Sequence, residues 1–63
     1  MAREEILERI NEIERLKKEE YEEHADFCRG WGWDEHGSIY ELMCGQTNEY
    51  YGAELNKLYG LLN

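Results

Sequence analysis

Apolar residues recur at helical spacing through the first half of the chain. Stepped at 100° per residue, Ile6, Leu7, Ile10, Ile13, Leu16, Tyr21, His24, Ala25, Phe27 and Cys28 share one half of a helical wheel. This pattern predicts one long helix over residues 2–29. Glu4 and Glu5 suit the positive start of that helix. Glu5–Arg9 and Glu14–Lys18 are i,i+4 pairs in the favourable order. Gly30 is expected to stop the helix, as glycine commonly does just past a C-terminus.

A second helix is expected over 38–62. "SIYE", residues 38–41, reads as a capping box, with Ser38 and Glu41 each reaching a backbone amide of the other. Ile39, Met43, Tyr50 and Leu61 share one face, flanked by Tyr40, Thr47 and Leu58. Tyr51, Leu55, Tyr59 and Leu62 widen the apolar surface. Gly45 and Gly52 lie opposite, each costing about 1 kcal/mol relative to alanine in a helix interior. The second helix therefore either runs unbroken or ends at Cys44, with Gly45 as its cap and a third helix from Thr47 or Asn48. Between the two helices, "GWGWDEHG" (30–37) reads as a turn.

The fold class that follows is all-α: an antiparallel helical hairpin in a single domain, residues 1–63. Its apolar faces are wider than one seam. Two hairpins are thus expected to pair into a dimeric four-helix bundle. In length and plan this resembles the RNA-binding Rop-type hairpin dimers. That resemblance is one of architecture and implies no shared function.

Size sharpens the point. Sixty-three residues sit near the lower limit for independent folding. Such chains usually add a metal, a disulfide or a second copy. No apolar run approaches the ~20 residues that span a bilayer. "MAREEILERI" is too charged for a signal peptide. A cytoplasmic location with reduced thiols is expected.

Charge is segregated. The net charge is −8. Residues 19–41 carry Glu19, Glu20, Glu22, Glu23, Asp26, Asp34, Glu35 and Glu41 against Arg29 alone. Residues 1–18 are balanced, and 42–63 are close to neutral. A chain so acidic lacks the basic footprint of direct nucleic-acid binding and is repelled by anionic membrane surfaces.

Four candidate constellations emerge. The first is the turn, where Trp31 and Trp33 either fold back over the hairpin or touch a partner. Tryptophan is enriched in binding hot spots. Ringed by Glu22, Glu23, Asp26, Asp34 and Glu35, it suits a basic protein surface, with the field speeding encounter and the ring holding the complex. The second is the inward track of the first helix: Ile6, Ile10, Ile13, then Lys17, Glu20, His24, then Phe27. Its polar stretch, with Thr47, Tyr50 and Tyr51 opposite, either fixes register or lines a pocket for a small polar ligand. The third is His24, Cys28, His36 and Cys44, a Cys2His2 set within reach of one hairpin turn that could hold a structural zinc, although no C-x2-C pair is present. A Cys28–Cys44 disulfide is the alternative use of the thiols. The fourth is the Gly45/Gly52 line, which either admits another backbone or breaks the helix.

No enzyme is expected. "GWGW" lacks the strand–helix context of a phosphate loop, and His24–Cys28 has no oxyanion site beside it. The leading expectation is an acidic protein-binding module, and in sharper form an inhibitor that competes with nucleic acid for a basic groove. In size and charge it resembles the small acidic inhibitors that phages direct against host or defence proteins. The alternatives are a small-ligand binder or sponge, and a purely structural or designed helical oligomer. No resident cofactor is expected beyond the zinc alternative, and the preferred oligomer is a homodimer.

Overall fold

The computed structural model describes residues 2–63 and contains two helices, α1 (Arg3–Gly30) and α2 (Ser38–Leu62), packed against each other as a hairpin. The molecule is a rod, 46 × 15 × 11 Å. α2 is continuous through Gly45 and Gly52, so the broken alternative does not occur. No Cβ placed on either glycine would meet a neighbour within 4 Å.

The apolar core lies toward the chain ends. Ile6, Ile10 and Ile13 of α1 pack with Leu55 and Leu58 of α2, and Tyr51 and Leu62 close over them. The three isoleucines continue the 3–4 spacing that drew α1 as a helix, so the seam follows directly from that pattern. Leu7 and Phe27 were expected inside and are exposed. Ion pairs on the outer side of α1 join Arg15 to Glu19 and Arg9 to Glu12. Arg9 also crosses to α2, where its Nε and Nη2 reach the two Glu54 oxygens at 2.8 and 3.2 Å rather than turning back to Glu5. That carboxylate, more than any other neighbour, raises the pKa of the guanidinium.

α2 is rotated relative to the expected face. The residues turned toward α1 are Tyr40, Cys44, Thr47, Tyr51, Leu55, Leu58 and Leu62, all buried or half-buried. Ile39, Tyr50 and Leu61 face solvent instead. The cause is compositional. α2 carries only Glu41, Glu49, Glu54 and Lys57 as charged residues, so two apolar stripes lie side by side and periodicity alone cannot choose between them.

The reversal is built differently from expectation. Gly30 is still helical, and Trp31 is the C-cap. Gly32 is the residue that turns the chain, at φ 76°. Its amide donates to Arg29 O at 3.0 Å, and the Trp33 amide donates to Cys28 O at 2.8 Å. These two bonds, with a glycine in left-handed conformation between them, form a Schellman cap. At the other end of the turn, Asp34 Oδ1 accepts from the His36 amide at 3.0 Å, and the Gly37 amide donates to Asp34 O at 3.1 Å. Gly37 sits so close that a Cβ there would lie 3.0 Å from Asp34 Cβ. Gly37 is the N-cap of α2, so Ser38 falls inside the first turn and the expected capping box does not form. The Glu41 amide is satisfied by Gly37 O at 3.0 Å.

Two stability measurements follow. Ile13→Ala, at a side chain with no exposure, should cost about 2–5 kcal/mol in chemical denaturation. Gly45→Ala and Gly52→Ala, in open helix interior, should each add about 0.5–1 kcal/mol. A loss at either glycine would mean that its lack of a side chain serves a close approach by another molecule.

Candidate functional site

Trp31 and Trp33 stand at the loop end of the rod because of the cap. A Schellman cap is commonly accompanied by an apolar contact between the residue after the turning glycine and the last helical turn. Here Trp33 meets Phe27, with ring centroids 6.0 Å apart and edge-on at 66°. Trp31 stacks on Trp33 at 5.8 Å and 19°, and leans on Phe27 at 6.3 Å. The three rings pack on one another yet stay open to water: 66% exposed at Trp31, 44% at Trp33 and 49% at Phe27. Neither tryptophan is buried in the core. A notch of about 360 Å³ beside them is lined by Trp33, Asp34, Gly37, Ser38 and Ile39. Spacing alone places Phe27 on the seam. Its place in this cluster was encoded in the Phe27–Trp33 separation about a turning glycine.

The surrounding carboxylates are not equivalent. Arg29 pairs with Asp26 on the same helix, and its Nη1 reaches Glu35 Oε2 across the turn at 2.9 Å. Asp34 is engaged in shaping the loop. Among the described residues, Glu22 and Glu23 join no ion pair, and both are exposed. The one base of the acidic segment therefore braces the turn, and the field projected outward is negative.

Between the apolar core and this tip the seam is polar. His24 Nε2 and Thr47 Oγ1 share a hydrogen bond at 2.9 Å, and the Tyr21 hydroxyl donates to Asn48 Oδ1. Glu20 pushes the Tyr51 phenol above its ordinary pKa, with burial adding to the effect. Glu20 Oε2 is shielded from solvent without a hydrogen-bond partner. Tyr40 is also raised, first by the Cys44 thiol and then by burial. Of the six residues expected to line a ligand pocket, the structure brings Glu20, His24, Thr47 and Tyr51 onto the seam. Lys17 is half-buried, and Tyr50 faces out, edge-on to Tyr51 at 5.0 Å. A groove of about 790 Å³ opens instead along the flank of α2, on Tyr50, Ala53, Glu54, Lys57, Leu58 and Leu61.

The Cys2His2 set does not converge. His24 is engaged with Thr47, Cys28 is fully buried, and His36 lies edge-on against Tyr40 at 5.1 Å. Both thiols are free. Among the described residues, no group of three or more histidine, cysteine or acidic side chains is placed to hold a metal ion. Nor is any helix there long and apolar enough to cross a membrane.

The geometry thus defines an all-α hairpin with a polar waist and an aromatic, acid-flanked tip. No family model, curated protein or solved structure matches the chain.

Two predictions test the waist. Thr47→Val keeps shape but strands the half-buried imidazole, and should cost about 1–3 kcal/mol in urea denaturation. Tyr40 and Tyr51 hold their phenolic protons more tightly in the folded chain. Their contribution to stability is intact below pH ~10 and is lost as pH rises through the raised folded values. In a pH titration of phenolate absorbance, Tyr40→Phe and Tyr51→Phe should each remove a late-titrating component. Glu20→Gln should shift the Tyr51 component to lower pH.

Proposed function

We propose that the chain is a protein-binding module that presents its Phe27–Trp31–Trp33 tip, within an acidic field, to a basic partner surface. The observation that carries this reading is the exposure of three mutually packed rings in a chain whose core is so small. Water-exposed aromatic area of this kind is what a binding hot spot uses. The notch at Trp33 and Asp34 sets a ring and a carboxylate side by side. That pairing suits the aliphatic stem and cationic head of lysine or arginine, with the indole face attracting the cation. Glu22 and Glu23 steer the encounter. A basic groove that normally takes nucleic acid is the sharpest form of such a target, which makes the module a competitive inhibitor.

The hairpin is further proposed to act as a homodimer forming a four-helix bundle. Among the described residues, five make up the apolar cluster, whereas Ile39, Leu42, Tyr50, Tyr59 and Leu61 of α2 are large, apolar and exposed. A second copy is the economical cover for such a surface.

Calorimetric titration with a helical lysine/arginine-rich peptide tests the tip. Binding should appear, weaken as salt rises, and fall about tenfold or more in Trp31→Ala. Glu22→Gln/Glu23→Gln should reduce binding and its salt dependence together. A glutamate-rich control peptide should give no heat. Binding unchanged in Trp31→Ala, or no binding to the basic peptide at low salt, would overturn the reading.

A further inference from the structure

α1 and α2 meet solvent in different ways. The exposed surface of α1 is densely charged, with sixteen acidic or basic residues between Arg3 and Arg29. α2, almost as long, has four. Its outer side carries Ile39, Leu42, Tyr50 and Leu61, with Tyr50 76% exposed, Leu42 63% and Leu61 61%. The groove on the flank of α2 borders this side at Tyr50 and Leu61.

The stripe has an internal symmetry. Ile39 and Leu61 stand eleven residues on either side of Tyr50, and Tyr50 is the midpoint of α2. Eleven residues complete three helical turns to within about 20°, so all three lie on one line along the helix. A two-fold axis through Tyr50 would set each Ile39 against the partner copy's Leu61. Ala53, small and lining the groove, leaves room for the neighbouring helix to come close.

Charge selects the orientation. A parallel pairing would bring together two copies of the 19–41 segment, in which eight acids stand against one base. An antiparallel pairing separates them by most of the 46 Å rod, several times the ~8 Å screening length at physiological salt. Length is also adequate, since the 22 residue steps from Ile39 to Leu61 span about 33 Å of helix, most of the 46 Å rod.

We infer that the outer stripe of α2, Ile39–Leu42–Tyr50–Leu61, is the homodimer interface, and that two copies pair α2 to α2 in antiparallel sense about an axis at Tyr50. This rests on the dimeric reading given above and specifies its face and direction. The two aromatic tips then point to opposite ends of the assembly.

The test combines native mass spectrometry with cysteine cross-linking of the full chain. The wild-type protein should appear at twice 7.6 kDa, and Tyr50→Glu should appear at the monomer mass with its helical circular dichroism retained. In a Cys44→Ser background, Tyr50→Cys should form a disulfide-linked dimer on mild oxidation. Ile39→Cys and Leu61→Cys should each stay unlinked alone and cross-link when mixed. A Lys18→Cys control on α1 should not link. A wild-type monomer would overturn both the pairing and this interface. A dimer in which Ile39→Cys links to itself would leave the pairing standing and overturn the antiparallel geometry. A dimer that survives Tyr50→Glu would overturn the choice of face.

Discussion

Two helices share only one seam, and here that seam is apolar over about half its length. Ile6, Ile10 and Ile13 against Leu55 and Leu58 supply nearly all of the close apolar packing. Beyond them, contact is made by His24 with Thr47, Tyr21 with Asn48, and the Glu20–Tyr51 neighbourhood. Paired polar groups of this sort contribute little net stability but strongly penalise a wrong register, because a slipped helix leaves each of them without its partner. The chain-end half of the hairpin thus provides cohesion, and the loop half provides alignment. Arg9 and Glu54 close the edge of the apolar half with a two-point contact.

The loop completes that alignment by its own geometry. Gly32 in left-handed conformation, the Asp34-centred turn and the tight Gly37 approach fix a short connection with defined hydrogen bonds. Arg29, bridging Asp26 and Glu35, ties the last turn of α1 to the loop. The aromatic cluster is a by-product of the same cap, since the residue following Gly32 must lie back across the end of α1. The rings at the tip are therefore side chains whose positions are already set by chain reversal.

Much of this fold was legible from residue spacing. The isoleucine track, the two helix lengths and the position of the turn all followed from it. The failures have distinct physical origins. Gly30 and Gly32 both qualify as helix terminators, and the choice depends on which one lets Trp33 reach Phe27, a contact six residues apart that periodicity does not weigh. Ser38 and Glu41 have the chemistry of a capping box, but Gly37, held close to Asp34, takes the N-cap position and leaves Ser38 inside the first turn. The inward face of α2 was misread because its charge is too sparse to mark an outside. Charge segregation and the two tryptophans mark the candidate tip in the sequence, whereas the contacts that occupy Asp34 and Glu35 depend on the geometry of the loop. The Cys2His2 set is not placed to hold a metal among the described residues: His24 bonds to Thr47, Cys28 is buried, and His36 lies across Tyr40.

The stacking of Trp31 on Trp33 has an optical consequence. These are the only two tryptophans in the chain, both lie in the reversal, and their rings sit 5.8 Å apart at 19°. Indoles so placed couple their electronic transitions, giving a circular-dichroism couplet superimposed on the helical signal. All tryptophan emission arises from one end of the rod, while the five tyrosines spread from Tyr21 to Tyr59 along its length. The molecule thus carries two native chromophore sets that report on different regions, one confined to the tip and the other distributed over the helices.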